Sequence, residues 1–122
     1  MTDRPAPAPF PIGDLAWHEP HGHHDSFSQY LVGLEDHGAG IDVRMSRCSP
    51  AGRVDSHVHE AAEHVYFFLS GTGLVTSNDV PYPVERDMVL YVPPQTEHSI
   101  QGSGEEDLMF LVVTAPSGTL PR

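Results

Sequence analysis

The stretch that decides the fold runs from Gly52 to Gly71 and reads GRVDSHVHEAAEHVYFFLSG. His57 and His59 stand two apart in an extended run, so both side chains leave the same face. That spacing lets two imidazoles reach one ion. A turn over Glu60–Glu63 follows, and His64 then opens an apolar strand, HVYFFL. On that strand His64, Tyr66 and Phe68 share one face, and Val65 and Phe67 share the other. His98 comes much later, just behind Pro93–Pro94. Three local histidines and one distant one are how a β scaffold assembles a metal site.

Outward from this segment the chain reads as short strands divided by turn signals. The expected strands are Ser26–Leu34, Ile41–Cys48, His57–His59, His64–Leu69, Gly73–Ser77, Met88–Val92, His98–Gln101 and Leu108–Thr114. Between them stand HGAG, SPAG, SGTG, SNDVP, VPPQ, GSGEE and APSG. Strands so short and so regularly punctuated predict an all-β antiparallel barrel or sandwich. Ala61–Val65 is the one stretch with the look of a helix start, and it is too short to stand as one.

A chain of 122 residues has room for one domain and one core. We divide it into an extended Pro- and His-rich arm, residues 1–25, and a single domain, residues 26–122. Thr2–Pro11 alternates Pro with Ala and Phe, a polyproline-like tail or a strap across a neighbouring subunit. Exposed sheet edges need covering, so a homodimer paired through edge strands is expected.

The charge and the residue inventory exclude several functions. With 17 acidic and 6 basic residues the formal charge is −11, which repels a phosphate backbone or an anionic membrane. All the basic residues are Arg. The absence of Lys removes protein Schiff-base chemistry. Cys48 is the single cysteine, so no internal disulfide, CxxC pair or Cys-rich zinc site can form, and a buried thiol in a reduced compartment is expected. The longest apolar runs, Val65–Leu69 and Leu108–Val113, are too short to span a membrane. The N-terminus lacks the apolar stretch of a signal peptide, so the expected location is the cytoplasm.

Imidazole ligands suit Zn, Fe, Ni and Cu better than Mg or Ca. One divalent ion is expected on His57, His59, His64 and His98, with Zn2+ first and Fe2+, Ni2+, Mn2+ and Cu2+ as alternatives. His18, His21, His23, His24 and His37 sit in Gly- and Asp-rich loops and read as surface residues.

These residues resemble the two motifs of the cupin family. Gly52 to Gly71 is similar to the first motif, and Asp87-MVLYV-Pro93-P-Gln95-TE-His98 to the second. The resemblance implies a cupin-type antiparallel β-barrel, or jelly roll, with the metal in its mouth. Asp87 and Gln95 stand where the second motif has Gly, and Gly102 replaces its Asn. His64 occupies the usual Glu ligand position; Glu63 is the alternative ligand, on the opposite face by strand parity. Four neutral imidazoles leave a divalent ion at about +2, a stronger Lewis acid than a site with one carboxylate.

Among small single-domain cupins the four-His pattern resembles aromatic polyketide cyclases of actinomycete pathways. That resemblance implies a metal-dependent intramolecular aldol condensation and dehydration of a poly-β-ketone, free or delivered on an acyl carrier protein. Arg44, Arg47 and Arg53 then offer a basic patch for a carrier, or are plain solvated surface. Glu63 and Glu60 are the candidate catalytic bases, with Asp55 behind them. Tyr66 and Phe68 are candidates for the pocket wall, or for ordinary core packing. The rival readings are a metal-dependent cupin dioxygenase acting on a small organic molecule, and a cupin that binds a ligand without turnover.

Overall fold

A computed structural model describes residues 8–120. Its strands are β1 (His23–Val32), β2 (Asp42–His57), β3 (Glu63–Ser70), β4 (Thr72–Ser77), β5 (Val80–Glu85), β6 (Val89–Val92), β7 (His98–Ser103) and β8 (Leu108–Ala115). One short helix, α1 (Leu34–His37), joins β1 to β2. The strands lie in the order β5-β4-β7-β2-β8-β3-β6, with β1 added on β2. Every pairing is antiparallel, and the sheet curls on itself as a jelly roll does. The all-β class is as the sequence predicts.

β2 makes the curl. Its first part, Asp42 to Cys48, pairs with β8, and its last part, Arg53 to His57, pairs with β7. The SPAG segment between them predicts a turn, yet the strand runs straight through it. A change of pairing partner, not a chain reversal, happens there. The crossing is tight: a Cβ on Gly102 would overlap the carbonyl oxygen of Ser49. His57–His59 is accordingly not a strand of its own. His57 ends β2, and His59 lies in the loop behind it.

β5 is absent from the expected strands because its sequence, VPYPVE, carries two prolines. It lies at the sheet edge, where every second N–H points away from the partner and its loss leaves the ladder intact. Leu34, expected at the end of the first strand, opens α1 instead.

The core is the inner face of the curl, with Phe68, Leu108, Cys48 and Val75 buried at its centre. Cys48 is fully covered, and burial pushes its thiol pKa up, as a structural thiol requires. The described part of the N-terminal segment lies against β1. Gln29 Nε2 donates to the carbonyls of Ile12 and Leu15, each at 3.0 Å. Trp17 and Phe27 both meet the Arg47 guanidinium. Residues 2–7 of the proposed arm lie outside the described residues. On the outer face of β3 and β6, Val65, Phe67, Val89 and Tyr91 are exposed.

Candidate metal centre

Four histidines meet at one end of the curl because three strand ends converge there. His57, the last residue of β2, pairs directly with His98, the first of β7. His59 hangs in the loop, whose carbonyl is fixed by the Gln95 N–H at 2.8 Å. His64 points inward from β3. Ring centroids lie 4.1 Å apart for His57 and His98, 4.7 Å for His57 and His59, and 5.0 Å for His59 and His64. The donor atoms of His57, His59 and His98 all fall within 4.8 Å of one another, so this cluster can hold a metal ion. His64 stands beside it, its ring 5.4 Å from that of His98.

The hydrogen bonds around the rings decide which nitrogens face the centre. His57 Nδ1–H donates to the Asp55 carbonyl at 2.7 Å, and His98 Nδ1–H to the Thr96 carbonyl at 2.9 Å. A carbonyl only accepts, so both rings carry their proton on Nδ1 and turn an Nε2 lone pair inward. His64 Nδ1 shares a hydrogen bond with Thr114 Oγ1 at 2.9 Å. This is the usual support of a ligating imidazole. The Nε2 atoms of His64 and His98 are buried with no hydrogen-bond partner among the described residues. Such an orphaned atom is costly unless something satisfies it, and a cation fits both lone pairs.

Three of the rings, His59, His64 and His98, are kept neutral. Burial, reinforced by the neighbouring histidines and Arg44, lowers the pKa of His64 to about 3. Burial lowers that of His98 to about 4, against a smaller opposing effect of the Thr96 carbonyl. His59 is lowered for the same first reason. Neutral imidazole is the form that binds metal.

The cluster opens on a cavity of about 380 Å³. Tyr66 lines it, while Phe68 lies one step deeper, stacked on Tyr66 at 6.3 Å and wholly in the core. Glu60 and Glu63 are exposed and neither lines the cavity; Glu63 accepts a hydrogen bond from Tyr91 Oη at 3.2 Å on the outer face. Asp55 reaches the rim, where His24 Nε2 holds its carboxylate at 2.9 Å and keeps its pKa below the ordinary carboxylate value.

Two wall residues were not legible as such. His23 reads as a loop residue but lines the cavity. Counting back from the buried Ser28 and Ser26 puts His24 inside, but a bulge at Asp25, with φ of 52°, shifts the parity and turns His23 inward. Arg44, expected at the surface, is only 7 % exposed and lines the cavity. β2 is inverted here: Asp42, Arg44 and Ser46 are buried while Val43 and Met45 face out, half-buried.

A curled antiparallel sheet with a histidine cluster at its mouth defines a class of β-barrel metal site. Residues 45–114 match the Cupin domain family, and the chain belongs to that family. Cupins often bind a metal. The fold is similar to that of a predicted oxalate decarboxylase from Thermotoga maritima, with a TM-score of 0.79 and 22% identity over 87% of this chain and 96% of that one. It also resembles a cupin-2 domain from Rhodospirillum rubrum, with a TM-score of 0.77 and 17% identity over 98% and 82% of the two chains. In sequence it is 33% identical to an oxalate-binding protein of Thermotoga maritima over 75 residues, 62% of this chain and 61% of that protein. An uncharacterized protein of Methanocaldococcus jannaschii is 33% identical over 60 residues, 49% and 48% of the two chains. The matches thus span about half to three-fifths of these relatives. Among the described residues no helix is long and apolar enough to cross a membrane.

Proposed function

We propose that this cupin is a metal-dependent enzyme acting on an enolisable carbonyl compound, and that its reaction is the intramolecular aldol condensation and dehydration of a poly-β-ketone. The observation that carries this reading is the donor set, four clustered imidazoles and no carboxylate, of which His57, His59 and His64 stand in the wall of a largely apolar cavity. A divalent ion held by His57, His59, His64 and His98, zinc first, supplies a Lewis acid for a carbonyl oxygen.

The chain's own residues do the rest. Val54, Tyr66, Ile100 and Phe110 form the apolar part of the wall, which keeps water out and holds a flexible chain in a bent form. Burial pushes the Tyr66 pKa up, so its hydroxyl stays protonated and donates to a substrate oxygen. Outside the ligand set, His23 and Asp55 are wall groups able to accept a proton. A methylene between two carbonyls gives up its proton and forms a carbon–carbon bond to a second carbonyl carbon. That carbonyl's oxygen takes up a proton to become a hydroxyl, which takes a second proton and leaves as water while the former methylene carbon gives up its remaining hydrogen and a carbon–carbon double bond forms. No oxidant enters the balance.

The test is turnover of a synthetic poly-β-keto acid by zinc-loaded protein without oxygen, followed by mass spectrometry. The expected product is cyclic and lighter by one water. A strict need for O₂ and a redox-active ion replaces this reading with the oxygenase.

A further inference from the structure

We infer that the outer face of β6, β3, β8 and the first part of β2 is the surface on which two copies of this chain meet, sheet against sheet. The inference goes beyond the reaction proposed above and does not depend on it, because the chamber lies on the inner side of the curl.

The register builds the surface. Tyr91, Val65, Val113 and Val43 stand in one row across the four strands, and Val89, Phe67, Leu111 and Met45 stand in the next. The side chains on β6 and β3 are exposed and the others half-buried. Tyr91 alone has a polar atom, and it donates that hydroxyl aside to Glu63. A shorter row of Met109 and Arg47 follows. The Arg47 guanidinium, the one charge in these rows, is covered by Trp17 and Phe27 at 4.6 and 5.2 Å from the ring centroids. β8 carries the same message in its sequence. Leu108–Val113 is apolar without alternation, the pattern of a strand covered on both faces, yet only its inner side is buried. The other half of the curl shows what a solvated outer face looks like. There Thr72, Leu74 and Thr76 of β4 pair with Ser103, Gln101 and Ser99 of β7, and Leu74 alone is apolar.

A second copy fits this surface better than another macromolecule does. At −11 the chain repels its own kind, so two copies can meet only where acids are missing, and these rows hold none. A basic partner would be drawn to the acidic remainder of the surface instead. Homodimer interfaces are also the more apolar class. The residues of these strands, each covering about 3.4 by 4.8 Å of sheet, give roughly 450 Å² of flat face. That is the scale of the apolar centre of an interface burying about 800 Å² per partner. A two-fold axis through the face sets the same rows against one another, with the sheets about 10 Å apart. Edge pairing, the expectation from sequence, has less to work with. β5 carries two prolines, β6 has four residues before Pro93–Pro94, and His18 bridges to Ser28 along the edge of β1.

The test is the mass of the full chain by sedimentation equilibrium at micromolar concentration, and the expected result is two copies. Phe67→Asp and Val89→Asp each put a charge at an exposed position in these rows. Each should weaken the dimer about 100-fold or more, because the two-fold axis buries the new charge twice. Tyr82→Asp, comparably exposed on β5 in the other half of the curl, should leave the dimer unchanged. If Phe67→Asp does not fold, as judged by circular dichroism, Val89→Asp carries the test. A parent chain that sediments as a single copy overturns the inference, and so does any assembly other than a pair. A pair that survives either substitution in folded protein is joined by an edge or by another segment. A pair that Tyr82→Asp dissolves is joined through the other half. Both results overturn it as well.

Discussion

β3 and β2 face the same interior with opposite patterns. On β3, inward His64, Tyr66 and Phe68 pass from the metal cluster to the bottom of the core, with Val65 and Phe67 outside. On β2, inward Asp42, Arg44 and Ser46 are polar, and the apolar Val43 and Met45 lie outside. The register shows why both are tolerated. β8 runs between them, pairing Tyr66 with Val112 and Val112 with Arg44, then Phe68 with Phe110 and Phe110 with Ser46. The interior thus grades from packed aromatic rings to a polar wall across three strands. Packing needs apolar side chains on every side; a chamber does not. Inward polar residues on one strand mark the chamber.

The largest effects should come from the packed side. Phe68→Ala removes a fully buried ring and should cost about 3–5 kcal/mol in denaturant unfolding, while Ser46→Ala should cost less than about 1 kcal/mol. Equal losses would erase the contrast between the two strands. Gly102→Ala should come next, at about 1–3 kcal/mol, because the added methyl group meets the Ser49 carbonyl where β2 changes partners.

Acid should weaken the metal-free fold in a graded way. Unfolded imidazoles protonate near their ordinary value of 6.5, whereas those of His23 and His98 resist to about 4 and that of His64 to about 3. Between these limits the unfolded chain binds more protons, so stability is full above the upper limit and declines as pH falls. A thermal midpoint that is flat from pH 7 to pH 4 would show that these rings are not held neutral. The smallest effect belongs to the second-motif departures. Asp87 and Gln95 keep positive φ values, 68° and 61°, although neither is Gly. Gln95→Gly should stabilise the fold by up to about 1 kcal/mol, measured by chemical denaturation, and Asp87→Gly by less, because Asp tolerates this conformation better.

These contrasts also mark what the sequence could disclose. His64 was legible because period-two spacing fixes its face on β3 with no knowledge of partners, and His57 and His59 because two residues so near in sequence stay near in space even though only His57 lies on a strand. Arg44 was not, because an alternating strand is read with its apolar side inward, and β2 is turned the other way. His23 was hidden by the bulge at Asp25, which reverses parity within two residues. β5 was hidden by prolines that only an edge position permits, and the run of β2 through SPAG by turn residues that serve a crossing. Local spacing survives each of these; register does not.

The account rests on His57, His59, His64 and His98 forming one metal site, and titration of metal-free protein with zinc, read calorimetrically, tests this most directly. We expect one equivalent to bind the parent chain, weaker binding after His64→Ala, unchanged binding after His18→Ala, and none after His57→Ala with His59→Ala. One equivalent still held by that double variant would contradict the account.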